Sequence, residues 1–271
     1  MTTIAANLQA VHARIARAAA AAGRRADEIT LVAVSKAFPA ARIAEAHAAG
    51  QKAFGENHLQ EAVEKITDLS NLAIEWHVEP MHQKNDRTRN DVSRPSAGVA
   101  SPKGPLLLPL EWHFIGPVQS NKTRLIAEYF QWVHSVEREK IAVRLNEARA
   151  EGLPPLNVCI QVNVSGEASK SGVAPGAEIG LAEAIERLPR LKLRGLMAIP
   201  EPTPEVAAQR RRFALLRELK EKLAARGYAL DTLSMGMSDD LEAAIMEGAT
   251  MVRVGTAIFG RRKQSLVTSD L

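Results

Sequence analysis

TLSMGMSDDLEAAIMEGATMVRVGTA, residues 232–257, carries the alternation that decides the fold. The β-rich run Thr232–Met235 breaks at Gly236, Ser238-Asp239 opens a helical pattern over Leu241–Glu247, and Met251–Val254 returns to β-rich residues before Gly255. Serine and aspartate ahead of a periodic apolar run are helix-start residues, and a glycine behind it is a stop. A strand, a helix and a second strand in so short a stretch describe a crossover unit, the connection that parallel strands need.

The same unit recurs along nearly the whole chain. Further β-rich runs fall at Ile29–Val34, Lys52–Phe54, Glu111–Ile115, Gln131–His134, Leu156–Val164 and Leu193–Ala198. Helical patterns follow at Ala40–Ala49, Leu59–Ile66, Glu137–Ala150 and Glu205–Ala225. Eight strand candidates alternating with helices favour a closed (β/α)8 TIM barrel over an open doubly wound sheet. The 271 residues are expected to form it as a single domain over 1–271. Ahead of the first strand, Ile4, Leu8, Val11 and Ile15 repeat at helical spacing. An extra N-terminal amphipathic helix is expected there, although Arg14, Arg17, Arg24 and Arg25 without any serine or acid imitate part of a transit peptide.

Composition narrows the function classes. Hydrophobic residues at 46% and charged residues at 24% are those of an ordinary globular protein. The net charge of +4 comes from 35 basic against 31 acidic side chains that are interspersed. The runs Arg210-Arg211-Arg212 and Arg261-Arg262-Lys263 lack interleaved aromatics, so they read as solvated faces and no nucleic-acid partner is expected. No apolar stretch is long enough to span a membrane. Cys159 is the single cysteine; it excludes an internal disulfide, fits a reducing cytoplasm and reads as a buried structural thiol.

One segment breaks the rhythm. Residues 78–110 hold five of the fourteen prolines, two glycines and scattered charges, and are expected to form a flexible insertion within the barrel. Ile74-Glu75-Trp76-His77 reappears as Leu110-Glu111-Trp112-His113, which points to a local duplication or insertion between the second helix and the third strand. Joining His77 to Phe114 is expected to restore one continuous strand.

In a (β/α)8 barrel the site lies at the C-terminal strand ends and the loops after them. Lys36 ends the apolar run Leu31-Val32-Ala33-Val34, and alternation puts it on one face with Val32 and Val34, at the barrel mouth. A lysine half-buried against valines has a lowered pKa, and its free amine forms a Schiff base with an aldehyde. A lysine snorkelling to solvent is the competing reading. Gly55-Glu56-Asn57 follows the second strand, with Asn57 as a neutral donor and acceptor. His113, near the end of the third, is either a ligand contact or a satisfied core histidine. Ser234-Met235-Gly236 and Arg253-Val254-Gly255-Thr256 place glycine N–H groups and hydroxyls on adjacent loops. That arrangement suits a phosphate, and the loops after strands seven and eight are where such barrels hold one. With Lys36 they converge on a phosphorylated aldehyde. No metal-binding spacing and no Ser-His-Asp arrangement is found.

LVAVSKAFP (31–39), FGENHLQE (54–61), EWHFIGPVQSNKTR (111–124), GLMAIPEP (195–202) and LSMGMSDDLEAAIMEGATMVRVGTAIFGRR (233–262) together resemble the pyridoxal phosphate homeostasis protein family, the YggS/PROSC-like group. That family is similar to the N-terminal barrel of alanine racemase and the fold-type III PLP enzymes. The resemblance implies pyridoxal 5′-phosphate (PLP) as a Schiff base on Lys36, phosphate at the Ser234–Gly236 and Gly255–Thr256 loops, and Arg253 facing the pyridine nitrogen. His58 stands where relatives usually have tyrosine, and Ala37 where they often have threonine.

The same resemblance sets a carrier against a catalyst. An arginine at the ring nitrogen keeps it unprotonated and weakens the cofactor as an electron sink. An amino-acid racemase, or a related fold-type III enzyme, needs a second base opposite Lys36. Racemase-like enzymes bring a tyrosine on a C-terminal β domain, for which a chain ending at Leu271 leaves no room. Tyr129 and Tyr228 fall in helical patterns on the wrong side. The expectation is a monomeric cytoplasmic protein that stores PLP and delivers it transiently to apo-enzymes, with no catalytic residue of its own.

Overall fold

In the computed structural model, residues 2–77, 110–167 and 170–260 are described. Eight parallel strands close into a barrel: β1 Thr30–Val34, β2 Ala53–Glu56, β3 Glu111–Phe114, β4 Trp132–Val136, β5 Leu156–Gln161, β6 Leu191–Met197, β7 Thr232–Ser234 and β8 Met251–Val254. Each pairs with its neighbour in sequence, and Thr30↔Met251 through Ala33↔Val254 seal β8 to β1. The helices are α1 Ile4–Ala21, α2 Ala40–Ala48, α3 Leu59–His77, α4 Thr123–Tyr129, α5 Glu139–Ala148, α6 Glu178–Glu186, α7 Val206–Ala224, α8 Leu241–Met246 and α9 Thr256–Phe259. The fold is the expected (β/α)8 barrel.

Strand alternation divides the core in two. Leu31, Ala33, Phe54, Val133, Val158, Leu196, Val252 and Val254 face outward and join the helices in one continuous apolar layer. Val32 and Val34 face inward with Ile115, close enough that a Cβ on Gly55 would lie 3.1 Å from Val32 and from Ile115. Trp132, Cys159, Met197 and Met251 form a second buried cluster inside the barrel. At Gly195 the strands approach so closely that a Cβ would lie 1.8 Å from the Thr232 carbonyl oxygen, so only glycine serves there.

The N-terminal helix is present as α1. Thr3 caps it by accepting from Ala6 N at 3.2 Å, and Ile4, Leu8, Val11 and Ile15 are buried. It docks on the last β/α units: Arg14 donates to both Glu242 carboxylate oxygens, at 2.7 and 2.8 Å, and Asn7 Nδ2 donates to Ile258 O at 2.8 Å. No helix among the described residues is long and apolar enough to cross a membrane.

The repeated tetrapeptide corrects one expectation. Ile74–His77 continues α3, eleven residues beyond the Leu59–Ile66 pattern, whereas Glu111–His113 is strand β3. Joining His77 to Phe114 would fuse a helix to a strand residue rather than rebuild a strand. Glu-Trp-His has no strong preference, and each copy takes the conformation that its neighbours propagate. The expected insertion, 78–110, lies outside the described residues except for Leu110, which is buried just before β3.

Candidate functional site

Four consecutive strands build one side of the barrel mouth. β7, β8, β1 and β2 are neighbours, and their C-terminal ends deliver Gly236, Gly255-Thr256, Lys36 and Asn57 respectively. Lys36 is half-buried. Gly255 lies against the end of β1, where a Cβ would sit 3.1 Å from Val34 O, so the loop after β8 reaches the base of the lysine. Gly236 has φ +93°, and a Cβ there would meet the Ala244 Cβ at 2.6 Å; the turn into α8 excludes any side chain. Among the described residues the N–H groups of Gly236, Gly255 and Thr256 have no hydrogen-bond acceptor. Thr256 is exposed, so its hydroxyl is accessible. Asn57 Oδ1 is buried with no hydrogen-bond partner. An unpaired buried oxygen is costly in a folded protein unless something supplies its donor. Unpaired N–H donors, a lysine amine and an orphaned amide oxygen as acceptor, on one arc, are the polar groups that a phosphorylated aldehyde would use.

Beneath the mouth a buried polar chain crosses the barrel. Arg253 Nη1 donates to Ser234 Oγ at 2.6 Å, and its Nη2 to Ala198 O at 2.9 Å. Ser234 Oγ meets His134 Nδ1 at 2.7 Å, and His134 Nε2 meets His113 Nδ1 at 2.9 Å. Arginine has no acceptor, so the serine proton points to His134 Nδ1. That assigns the proton of His134 to Nε2, which donates to His113, and leaves the His113 proton on Nε2, 3.6 Å from Glu111. Burial holds both histidines below the usual imidazole range; Glu111 partly opposes this at His113, while the charges of His113 and Arg253 add to it at His134. Burial also brings Arg253 down to about 10, still cationic near neutral pH. The Cys159 thiol is pushed up to about 12 by burial and stays protonated, as a structural thiol should.

These positions sort the expected residues. Lys36, Asn57, Gly236, Gly255 and Thr256 are together at the mouth. Ser234 is fully buried with its hydroxyl committed to Arg253 and His134, and Met235 turns its side chain into the outer core, with its N–H on Met251 O at 3.1 Å. His113 belongs to the interior chain, its ring stacked on Trp132 at 5.5 Å; Nδ1 meets His134, while Nε2 is buried 3.6 Å from Glu111 without a hydrogen-bond partner. His134 escaped the sequence reading although it lies two residues beyond Trp132, the inward spacing of a strand. Among the described residues no group of three or more metal-ligating side chains occurs.

Residues 6–263 match the family described as alanine racemase, N-terminal domain. A pyridoxal phosphate homeostasis protein of Pseudomonas aeruginosa is 58% identical over 262 residues, covering 97% of each chain. That of Escherichia coli K12 is 47% identical over 268 residues, covering 98% of this chain and 99% of its own. Among solved structures, PipY of Synechococcus elongatus with PLP bound superposes with a TM-score of 0.68 at 33% identity, over 91% of this chain and all of that one. Identity at this level over nearly the whole length shows that the chain belongs to the pyridoxal phosphate homeostasis protein family within the alanine racemase N-terminal group.

Proposed function

We propose that this chain binds PLP through a Schiff base on Lys36 and acts as a carrier of the cofactor in its homeostasis, without catalysis of its own. The observation that carries the reading is the arc of β7, β8, β1 and β2, which gathers a half-buried lysine, unpaired N–H groups and the orphaned Asn57 Oδ1 at one mouth. When bound, PLP supplies an aldehyde for condensation with an amine and a phosphate as a handle. Lys36 provides the amine, the Gly236 and Gly255–Thr256 segments take the phosphate, and Asn57 accepts from a ring substituent. Arg253, held by Ser234 and Ala198, faces the ring nitrogen as a cation and so disfavours its protonation.

Non-catalysis is read from the tyrosines, the cysteine and His113, none of which, among the described residues, stands as a second base at the mouth. Tyr129 ends α4 and Tyr228 follows α7, and helix C-termini in this barrel lie at the end opposite the mouth. Cys159 is a buried protonated thiol, and His113 is sealed within the interior chain. The protein is read as a cytoplasmic monomer that exchanges PLP transiently with apo-enzymes. An amino-acid racemase is the competing reading, and α-proton exchange separates the two. The PLP-loaded protein should exchange the α-proton of alanine in deuterated buffer no faster than free PLP. Fast exchange abolished by His113→Ala would make it a catalyst with a histidine base.

A further inference from the structure

Lys36 sits in a turn that is held on both sides by side chains from β2 and α3. Ser35 O accepts from Phe38 N at 3.0 Å, which makes Lys36 and Ala37 the two central residues of a tight turn. Ala37 has φ +64°, in the left-handed region that the second central residue of a type II turn requires and that glycine or asparagine normally fills. An alanine there is strained and persists only where the surroundings fix it.

The surroundings are a buried ionic cluster between β2 and α3. Lys65 Nζ donates to Ser35 O at 2.8 Å and to Glu56 Oε1 at 2.8 Å, and pairs with Glu61 Oε1 at 2.5 Å. Ser35 Oγ donates to the same Glu56 oxygen at 2.7 Å. Ala37 N donates to Glu61 Oε1. The Lys65 and Glu56 side chains are 6% and 0% exposed, and burial pushes the Glu56 carboxyl up against the opposing pull of Lys65. A buried ion pair is seldom worth its desolvation in stability alone, so its hold on both flanks of one lysine is the feature to explain.

We infer that Lys65, Glu56 and Glu61 are positioning residues that clamp the Ser35–Phe38 turn and present the Lys36 amine to the PLP aldehyde. They act through the backbone on either side of Lys36 and touch no ligand. Condensation joins the lysine nitrogen to the aldehyde carbon and releases the aldehyde oxygen as water. Holding the amine at the correct angle favours this step by orientation and leaves the phosphate and ring contacts untouched. The inference rests on Lys36 being the anchor.

Paired ligands test it on the folded full-length protein. PLP measures anchoring plus pocket, and pyridoxine 5′-phosphate, which has an alcohol in place of the aldehyde, measures the pocket alone. Glu61→Ala removes the acceptor of Ala37 N, and Glu61→Gln keeps an oxygen there. Glu61→Ala should bind PLP roughly tenfold more weakly, a change of about 1.4 kcal/mol, with pyridoxine 5′-phosphate bound as in the parent and Glu61→Gln largely restored. The double variant Glu56→Gln/Lys65→Met, which removes both buried charges together, should show the same selective loss. Equal weakening of both ligands would mean a structural role, and unchanged binding of both would mean none; either overturns the clamp. Lys36→Ala is run alongside. If it keeps full PLP affinity and visible absorbance, the anchor itself is wrong and the clamp falls with it, a result distinct from the other two.

Discussion

The two ends of this barrel treat their polar groups in opposite ways. At the floor, where the strands begin, the charges around Trp132 are paired. Arg194 grips both oxygens of Asp231, at 2.6 to 3.1 Å, donates to Asn157 Oδ1 at 2.9 Å, and lies 4.7 Å over the Trp132 ring. Trp132 in turn donates to Glu111 at 2.5 Å. At the mouth, Asn57 Oδ1 and the glycine N–H groups have no partner among the described residues, and a strained alanine follows Lys36. Satisfied polar groups hold a fold, and unsatisfied ones are tolerated where a ligand completes them. Changes at the floor should therefore cost stability and spare PLP, while changes at the mouth should do the reverse.

The largest effect expected is at the floor. Trp132→Ala empties the interior cluster with Cys159, Met197 and Met251 and should cost about 3–5 kcal/mol in chemical denaturation. PLP affinity, measured well below the melting temperature, should stay within twofold. A loss of PLP binding without loss of stability would break the division between the two ends.

Acid probes the layer between them. His113 and His134 are held neutral by burial, so the unfolded chain takes up protons that the native one refuses. Stability is then full above the unfolded histidine pKa of about 6.5 and falls below it by up to about 1.4 kcal/mol per pH unit for each histidine. Denaturation at pH 7.5 and 5.0 should show this fall, and His134→Asn should make the slope shallower. An unchanged slope would mean that the native state protonates His134 freely.

Two smaller changes sharpen the contrast. Arg194→Ala removes a partly exposed ion pair and a cation–π contact, and should cost about 1–2 kcal/mol with no effect on PLP. Ala37→Gly relieves the left-handed strain but frees the unfolded chain, and should leave stability within about 1 kcal/mol of the parent. Because the clamp no longer works against a Cβ, its PLP affinity should be equal or higher; a marked drop would show that the alanine itself, and not the clamp alone, holds the turn that orients Lys36.

Much of this was legible in the sequence, because a parallel barrel repeats one signal. β8 matched its apolar run to the residue, and the other strands shifted by at most a few positions where ladder pairing rather than composition sets the end. Lys36, Gly236 and Gly255 could be placed at strand ends from the sequence because strand-end lysines and glycine turns carry their meaning locally. The buried chain was not, since Arg253, Ser234, His134 and His113 lie on four different strands and meet only through closure. Ser234 illustrates the difference. Its hydroxyl looks like part of a phosphate loop in sequence, yet it is the last residue of β7, and its inward position sends it to Arg253. The Lys65 clamp was only partly legible: Glu61 and Lys65 stand four apart on α3 and so are helical neighbours, but nothing in the spacing brings them to Ser35 and Glu56.

The most direct test of the account is to trap the cofactor where it sits. The protein is loaded with PLP, reduced with borohydride to fix any lysine adduct, digested, and mapped by mass spectrometry, with Lys36→Ala treated in parallel. The account predicts one dominant labelled peptide carrying the reduced adduct on Lys36, and no label of comparable yield in Lys36→Ala. A dominant adduct on another lysine, or equal labelling in the variant, would contradict it.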